Sequence, residues 1–376
     1  MNDFSIGIAL LCAAFTATAL LIPPLCRAAP RYGLLDRPGG RKRHTGAIPL
    51  VGGVAMMAVF VAGFFAFGLF RTVTVYLPAA AVLMALGGLF DDRYDLGSVP
   101  KLGAQIVAAL VLAQLGGALL VHLGELARPG LLMLGALALP FSVFAIVGVM
   151  NAVNMADGID GLAGGLTLVA ALAFAWCAAD AGKTGPFWVA ALLAGALAGF
   201  LLYNLRWRPS RRASVFMGDS GSYAVGLVLA WLAITLAMDD KPALAPMTAV
   251  WILGIPLADT VVLMLRRILR GRWPFGADTG HLHHLLMRRG LSQARVTWLL
   301  LGVAAAMAAI GIAAYRTGIP DYVLFYGYGA LWIGLYVATS FATRPQAAPG
   351  AAADARRRGP DKMRGGARSD AIGSAR

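Results

Sequence analysis

Residues 186–205 read PFWVAALLAGALAGFLLYNL, which is twenty consecutive residues without a charged side chain. A helix that crosses a bilayer needs about 20 mostly apolar residues, so this stretch predicts a transmembrane helix. Ten comparable stretches lie close to residues 5–25, 48–70, 73–90, 102–121, 130–150, 162–181, 221–238, 246–268, 295–315 and 321–342. We therefore predict an all-α membrane bundle of about eleven transmembrane helices, in which residues 1–343 form one domain.

The composition also favours a membrane protein. Of the 376 residues, 59% are hydrophobic and only 13% are charged, whereas soluble proteins have roughly 25% charged residues. The net charge of +14 would on its own suggest nucleic acid as a partner. The distribution of the basic residues along the chain argues instead for a membrane protein that binds no nucleic acid.

The basic residues define an orientation. Of the 32 Lys and Arg residues, 27 lie in one set of loops and five in the other. The rich set comprises residues 26–47, 91–101, 151–161, 206–220, 266–295 and the tail after 343. By the positive-inside rule this set is cytoplasmic, which places the N-terminus in the periplasm and the C-terminus in the cytoplasm. The same charges attract anionic membrane lipid or an anionic substrate, and the basic tail 344–376 is predicted to be disordered.

The segment DDRYD (Asp91–Asp95) directly follows the third predicted span. If the helix continues through it, Asp91 and Asp95 share a face and Asp92 lies beside them. Carboxylates this close repel one another and stay ionised most readily around a divalent cation such as Mg²⁺, which binds carboxylate and phosphate oxygens. The alternative is an acidic helix cap. Lys101, at the start of the next span, would on its own be a membrane-anchoring side chain.

The segment NAVNMADGIDG (residues 151–161) carries four polar side chains at a spacing of three. They are Asn151, Asn154, Asp157 and Asp160. In a continuous α-helix this spacing drifts by about 60° per step, so the ends of the series would diverge. Two glycines predict a helix end instead, at which the last three polar side chains converge on a ligand. The alternative is an Asx-rich turn.

The segment FMGDSG (residues 216–221) opens the eighth predicted span. The small neighbours of Asp219 allow a ligand to approach closely, and Phe216 can stack on a base. The alternative is a helix N-cap made by Asp219 or Ser220.

Two further loops of the basic set carry polar side chains. HLHH (His281–His284) holds three of the five histidines. A zinc site is one interpretation, but the nearby arginines favour contact with phosphate or sugar, and a structural role is the third possibility. The segment RPGGRKRHTG (residues 37–46) contains Arg43 and His44. Orientation alone explains its charge, whereas its glycines favour a phosphate-binding loop.

Asp259 stands apart from these segments because it lies inside the ninth predicted span. An acid within the membrane is costly and is a functional candidate by default. It either lines the site or forms a structural pair with Arg266.

The ordered set DDRYD, NAVNMADGIDG, VFMGDSGS and HLHH resembles the polyprenyl-phosphate N-acetylhexosamine-1-phosphate transferase family over about Pro38–Leu291. RKRHTGAIPLVGG and HLHHLLMRRG resemble its bacterial undecaprenyl-phosphate N-acetylglucosamine-1-phosphate transferase branch, which initiates O-antigen and related envelope glycans. The resemblance implies an inner-membrane enzyme with a cytoplasmic active site, a UDP-N-acetyl sugar donor, undecaprenyl phosphate as acceptor, Mg²⁺ or Mn²⁺, and UMP as product. Whether the protein forms a homo-oligomer stays open.

The resemblance also implies roles for individual residues. Asp219 and Asn154 would hold the metal. The implied catalytic residues are Asp91, Asp92, Asp157 and Asp160, of which the first would orient or deprotonate the lipid phosphate. The implied substrate-binding residues are Lys101, Asn151, Phe216, His281, His283, His284, His44 and Arg43. Uracil would contact Asp160 and Phe216.

Two other function classes remain as alternatives. A membrane prenyltransferase also uses aspartate-rich magnesium motifs, but it needs no histidine loop. A secondary transporter places polar residues near the membrane midplane and usually has internal repeats. The sequence shows no repeat, and its acids flank helices at one face.

Overall fold

The computed structural model describes residues 2–37, 46–126, 130–207, 212–269, 271 and 280–342. The helices of these residues are α1 (Asp3–Tyr32), α2 (Gly52–Ala66), α3 (Tyr76–Tyr94), α4 (Ser98–Gln114), α5 (Ala138–Ala156), α6 (Leu162–Asp180), α7 (Thr184–Asn204), α8 (Gly218–Ala237), α9 (Pro246–Ile252), α10 (Gly254–Leu269), α11 (Leu282–Arg288), α12 (Gln293–Arg316) and α13 (Asp321–Ala342), with short 3-10 turns at Leu69–Arg71 and Gly135–Leu137. The strands β1 (Leu35–Asp36) and β2 (Ile48–Pro49) form one antiparallel pair. The predicted all-α class is confirmed.

Six segments in the described part of the chain are long and apolar enough to cross a membrane. They are Asp3–Tyr32, Gly135–Ala156, Leu162–Asp180, Thr184–Asn204, Gly218–Ala237 and Gln293–Arg316. The bent pair α9 and α10 makes a seventh if it counts as one span, while α2 and α4 are apolar but shorter. The membrane bundle is thus confirmed, and the number of eleven spans stays a prediction.

The ninth predicted span, residues 246–268, is wrong as a single straight helix. The chain bends by 86° between α9 and α10. The sequence contains the reason, because Pro256 lies four residues after Ile252, the last residue of α9. A proline lacks the N–H of that helical hydrogen bond, and its ring clashes with the carbonyl four residues earlier. A straight helix therefore cannot run through this point.

The loops poor in basic residues meet at one end of the bundle. The Thr184 hydroxyl donates to the Asp3 carboxylate over 2.7 Å, which joins the start of α7 to the start of α1. Lys183 Nζ lies 2.5 Å from Asp239 Oδ1, which joins the α6–α7 and α8–α9 connections. The structure therefore agrees with the two-sided division of the loops that the charges predicted.

Helix α8 lies at the centre of the bundle, and nearly all of its side chains are buried. It packs against α3 and α5. The contact with α3 is close because Gly88 faces the first turn of α8, where a Cβ atom would collide with the backbone of Asp219 and Ser220. Close backbone approach through small residues is typical of helices packed within a membrane.

This contact yields a stability prediction with a neighbouring control. Gly88→Ala forces backbone atoms of α3 and α8 apart, since neither side of the clash is a flexible side chain. Overpacking of this kind costs about 1–3 kcal/mol, so we expect a lower midpoint of thermal unfolding in detergent. Gly87→Ala is the matched control, because its Cβ would lie 4.0 Å from the Ala104 Cβ. Equal midpoints for the two variants would contradict the described packing.

Candidate active site

Asp92 holds the start of α8. Its Oδ1 accepts from the Asp219 N–H over 2.8 Å, and its Oδ2 accepts from the Ser220 N–H over 3.2 Å. The first N–H groups of a helix have no partner within the helix and carry its positive dipole end, so a carboxylate there is stabilising. Gly218 has a positive φ of 70°, and a Cβ at this position would lie 2.5 Å from Asp92 Oδ2. Asp92 therefore fixes the point from which Asp219 projects.

Asp91 and Asp219 share one cation. Lys101 Nζ forms an ion pair with Asp91 Oδ2 and lies 3.4 Å from Asp219 Oδ2. The other Asp91 oxygen accepts from the Leu96 N–H over 2.7 Å. Two carboxylates from α3 and α8 are thereby brought together by an ammonium group from α4.

The predicted alignment of Asp91 with Asp95 is wrong. Helix α3 ends at Tyr94, and Asp95 caps it with a left-handed φ of 50°. The backbone turns away at this residue, so the spacing of four no longer keeps the two carboxylates on one helical face. The second predicted acid, Asp92, faces the start of α8 instead.

Asn154 brings α5 to the same cluster. Its Nδ2 donates to Asp219 Oδ1 over 2.8 Å and to the Ser222 Oγ over 2.9 Å. One turn earlier, Asn151 Nδ2 donates to Gln105 Oε1 over 2.7 Å. Side chains of α3, α4, α5 and α8 thus meet where α3 and α5 end and where α4 and α8 begin.

Asp157 and Asp160 have different environments although they share one turn. Asp160 Oδ2 accepts from Arg206 Nε over 2.7 Å and from the Ala213 N–H over 3.0 Å, so it ties the α5–α6 turn to the α7–α8 connection. Asp157 follows the last residue of α5. Burial raises the pKa of Asp157 to about 7, and the charges of Asp92 and Asp160 add to this shift. Asp157 is therefore the acid of this turn that a cation would stabilise most.

The histidine segment packs against the same turn. His283 is only 2% exposed, and its Nε2 faces Gly158. Burial lowers the pKa of His283 to about 3, with the neighbouring His284 and His281 adding to the effect, so the ring is neutral at physiological pH. His281 is held by Asp259, whose carboxylate oxygen lies 2.8 Å from His281 Nδ1. Asp259 thus pairs with His281, and the interpretation that it lines the site stays a prediction.

The remaining predicted substrate contacts have less defined positions. Phe216 is partly exposed, and its backbone carbonyl accepts from the Gly52 N–H over 3.0 Å, which holds it beside the start of α2. Its contact with uracil stays a prediction. Arg43 and His44 lie outside the described residues.

The donor set fits a divalent cation once a substrate is present. In the described ranges no three His, Cys, Asp or Glu side chains gather closely enough to ligate a metal by themselves. Asp91 and Asp219 nevertheless both contact one cation, the Lys101 ammonium. Mg²⁺ typically binds one or two carboxylates and completes its shell with phosphate oxygens and water. These residues therefore fit Mg²⁺ or Mn²⁺ bound together with a phosphate substrate.

Comparison with known proteins shows which family this sequence matches. The family model described as glycosyl transferase family 4 matches residues 73–237. An undecaprenyl-phosphate alpha-N-acetylglucosaminyl 1-phosphate transferase of Escherichia coli O157:H7 is 35% identical over 329 residues, which is 84% of this chain and 88% of the relative. The chain belongs to glycosyl transferase family 4.

Further relatives agree with this assignment. Proteins of the same name from Salmonella typhi and Haemophilus influenzae are 37% and 35% identical, over 82% and 85% of this chain and 84% and 89% of their own length. The chain is accordingly a membrane transferase. These relatives support neither the aromatic-acceptor prenyltransferase nor the transporter.

Two side chains beside this cluster were not identified from the sequence. Gln105 and Tyr223 line a cavity of about 50 Å³ beside Asp91 and Lys101, between α3, α4 and α8. Gln105 lies four residues after Lys101, and Tyr223 lies four residues after Asp219. Side chains four apart share a helix face, so this spacing could have identified both.

The raised pKa of Asp157 predicts a pH effect on stability. Because the folded-state pKa lies above the ordinary value of about 4, the folded protein binds this proton more tightly. The resulting stabilisation is present below about pH 4 and is lost as the pH rises through about 7. In metal-free buffer, we expect the thermal midpoint to fall between pH 5 and pH 8 by on the order of a few degrees, and Asp157→Asn to reduce the fall.

Asp239→Asn is the control for this experiment. Its hydrogen bond with Lys183 lowers the pKa of Asp239, so that carboxylate stays ionised from pH 5 to pH 8 and its loss leaves the slope unchanged. Identical slopes for the wild type and Asp157→Asn would contradict the described environment of Asp157.

Proposed function

We propose that the protein transfers N-acetylglucosamine 1-phosphate from UDP-N-acetylglucosamine to undecaprenyl phosphate, releasing UMP and initiating a lipid-linked envelope glycan. The relatives named for this reaction support it, at 35–37% identity over more than four fifths of the chain. The observation that carries the proposal is that Asp91 and Asp219 share the Lys101 ammonium, while Asn154 donates to Asp219. Such a cluster suits a reaction between two phosphate groups.

The proposed step is one substitution at phosphorus. An oxygen of the lipid phosphate forms a bond to the sugar-linked phosphorus of the donor. The bond from that phosphorus to the bridging oxygen breaks, and UMP leaves with the electron pair. A phosphate monoester has a second pKa near 6 and is largely ionised at neutral pH, so the attacking oxygen needs placement more than deprotonation.

The residues of the cluster neutralise and align these anions. Lys101 offers an ammonium group at the mouth of the cavity and attracts phosphate oxygens. Asp91 and Asp92 stay in place because backbone N–H groups of Leu96, Asp219 and Ser220 hold them. Fixed charges of this kind act most strongly where water is excluded.

The proposed cofactor is Mg²⁺ or Mn²⁺, held by Asp219 and Asp91. This differs from the roles that the resemblance implied, with Asn154 as the second metal ligand and Asp91 at the lipid phosphate, because Asp91 and Asp219 share the Lys101 ammonium. When bound, the cation would withdraw charge from the pyrophosphate and stabilise the leaving UMP. Asn154 orients the Asp219 carboxylate through its 2.8 Å hydrogen bond. Lys101 can then turn from the carboxylates to the substrate phosphates.

The proposed location is the bacterial inner membrane, with the site facing the cytoplasm. Of the 32 Lys and Arg residues, 27 lie in the loops predicted to be cytoplasmic and five in the opposite loops, which supports this orientation. A cytoplasmic nucleotide sugar and a lipid phosphate of the inner leaflet would meet at this end of the bundle. The N-terminus would then be periplasmic and the C-terminus cytoplasmic.

Replacing the central acid tests the reaction. We expect purified wild type to release UMP only when undecaprenyl phosphate and UDP-N-acetylglucosamine are both present, and EDTA to stop the release. Asp219→Asn is expected to lower turnover by at least about 100-fold, the scale of losing one charge-stabilising group, without loss of folded protein. Asp239→Asn, in the opposite loops, is the matched control. Near-normal turnover of Asp219→Asn would remove the proposed metal role.

Reporter fusions test the orientation. Green fluorescent protein fused after residue 342 is expected to fluoresce, because it folds in the cytoplasm. Alkaline phosphatase fused after Lys241 is expected to be active, because it folds in the periplasm. An inactive phosphatase at Lys241 together with an active one after residue 342 would reverse the orientation.

A further inference from the structure

Both carboxylate oxygens of Asp259 contact the histidine segment, His281–His284. Oδ2 lies 2.8 Å from His281 Nδ1, and Oδ1 accepts from the Leu282 N–H over 2.9 Å. The second contact satisfies the start of α11, and the first holds one histidine ring. The carboxylate projects from α10, just beyond the 86° bend, and only 15% of its side chain is exposed.

This geometry fixes which ring nitrogen of His281 carries the proton. A carboxylate only accepts hydrogen bonds, so His281 Nδ1 must donate to Asp259. In a neutral imidazole the other nitrogen then has a lone pair and acts as an acceptor. His281 Nε2 is thereby prepared to accept a hydrogen bond.

The ring of His281 lies in a buried stack that faces the site. It is parallel to the His283 ring within 10°, with the centroids 5.4 Å apart. His283 is 98% buried, and its Nε2 has no hydrogen-bond partner among the described residues. That nitrogen is aimed at Gly158, next to Asp157. The histidine stack therefore lies beside the turn that carries the site acids, with the His283 ring edge against it.

We propose that Asp259 is a positioning residue that holds His281 with Nε2 as an acceptor for the sugar of the donor substrate. The inference rests on the proposed function and deepens it. The partner of Nε2 is an O–H or acetamido N–H group of the hexosamine. It is not a phosphate oxygen, because the diphosphate of a nucleotide sugar carries no proton to donate at neutral pH.

The test uses Asp259→Asn and two ligands. The amide oxygen can still accept from the Leu282 N–H, but the amide NH₂ must then face His281 Nδ1. This reverses the tautomer, and Nε2 becomes a donor. We expect the KM for UDP-N-acetylglucosamine to rise about tenfold, the scale of one hydrogen bond, while the inhibition constant of UMP, which lacks the sugar, and the KM for undecaprenyl phosphate stay unchanged.

A double-mutant cycle shows whether Asp259 acts through His281. In a His281→Ala background, we expect Asp259→Asn to add no further rise in the KM for UDP-N-acetylglucosamine. Asp239→Asn serves as the unaffected control. If Asp259→Asn does not fold, His281→Ala alone must still weaken the binding of UDP-N-acetylglucosamine without weakening the binding of UMP.

Each contrary result has a separate meaning. Equal loss of affinity for UMP and UDP-N-acetylglucosamine would show a merely structural role and overturn the inference, as would an unchanged KM or additive losses in the cycle. A wild-type enzyme that releases no UMP would overturn the proposed function instead.

Discussion

The carboxylate of Asp92 at the first turn of α8 is the contact on which the site depends. It accepts hydrogen bonds from the N–H groups of Asp219 and Ser220, which have no partner within the helix. Gly88 lies one helical turn earlier on α3, and its missing side chain lets the two backbones meet. Once this junction is fixed, Asp219 reaches the Lys101 ammonium and the Asn154 amide. An acid that the sequence suggested for chemistry thus also has a structural role.

The distribution of charge around this junction explains the choice of side chains. Carboxylates removed from water are costly unless a cation or N–H groups compensate them. Asp160 has Arg206 for this purpose, and Asp91 has Lys101. Asp157 has no such cationic partner in the described parts of the chain, and its pKa is accordingly raised. A divalent cation that binds together with an anionic substrate would compensate the charge of the Asp157 carboxylate. Substrate binding would then be coupled to catalysis.

The sequence was sufficient to predict which residues belong to the cluster, but not to predict all of their contacts. Asp91, Lys101, Asn154 and Asp219 could be selected because polar side chains are conspicuous beside apolar spans. The pairing of Asp259 with His281 joins residues 22 positions apart, from α10 to the start of α11. Periodicity cannot predict such a pairing, because it depends on how α10 and α11 are placed in space. Pro256 was the local signal for the bend, and Asp95 turned out to follow the helix rather than to extend it.

We propose that acids from α3 and α8 form one site for a divalent cation in the presence of the nucleotide sugar. Electron paramagnetic resonance of Mn²⁺ with purified protein and UDP-N-acetylglucosamine measures this directly. We expect one bound Mn²⁺ in the wild type and in Asp239→Asn, and loss of that bound ion in both Asp91→Asn and Asp219→Asn. Undiminished Mn²⁺ binding in these two variants would contradict it.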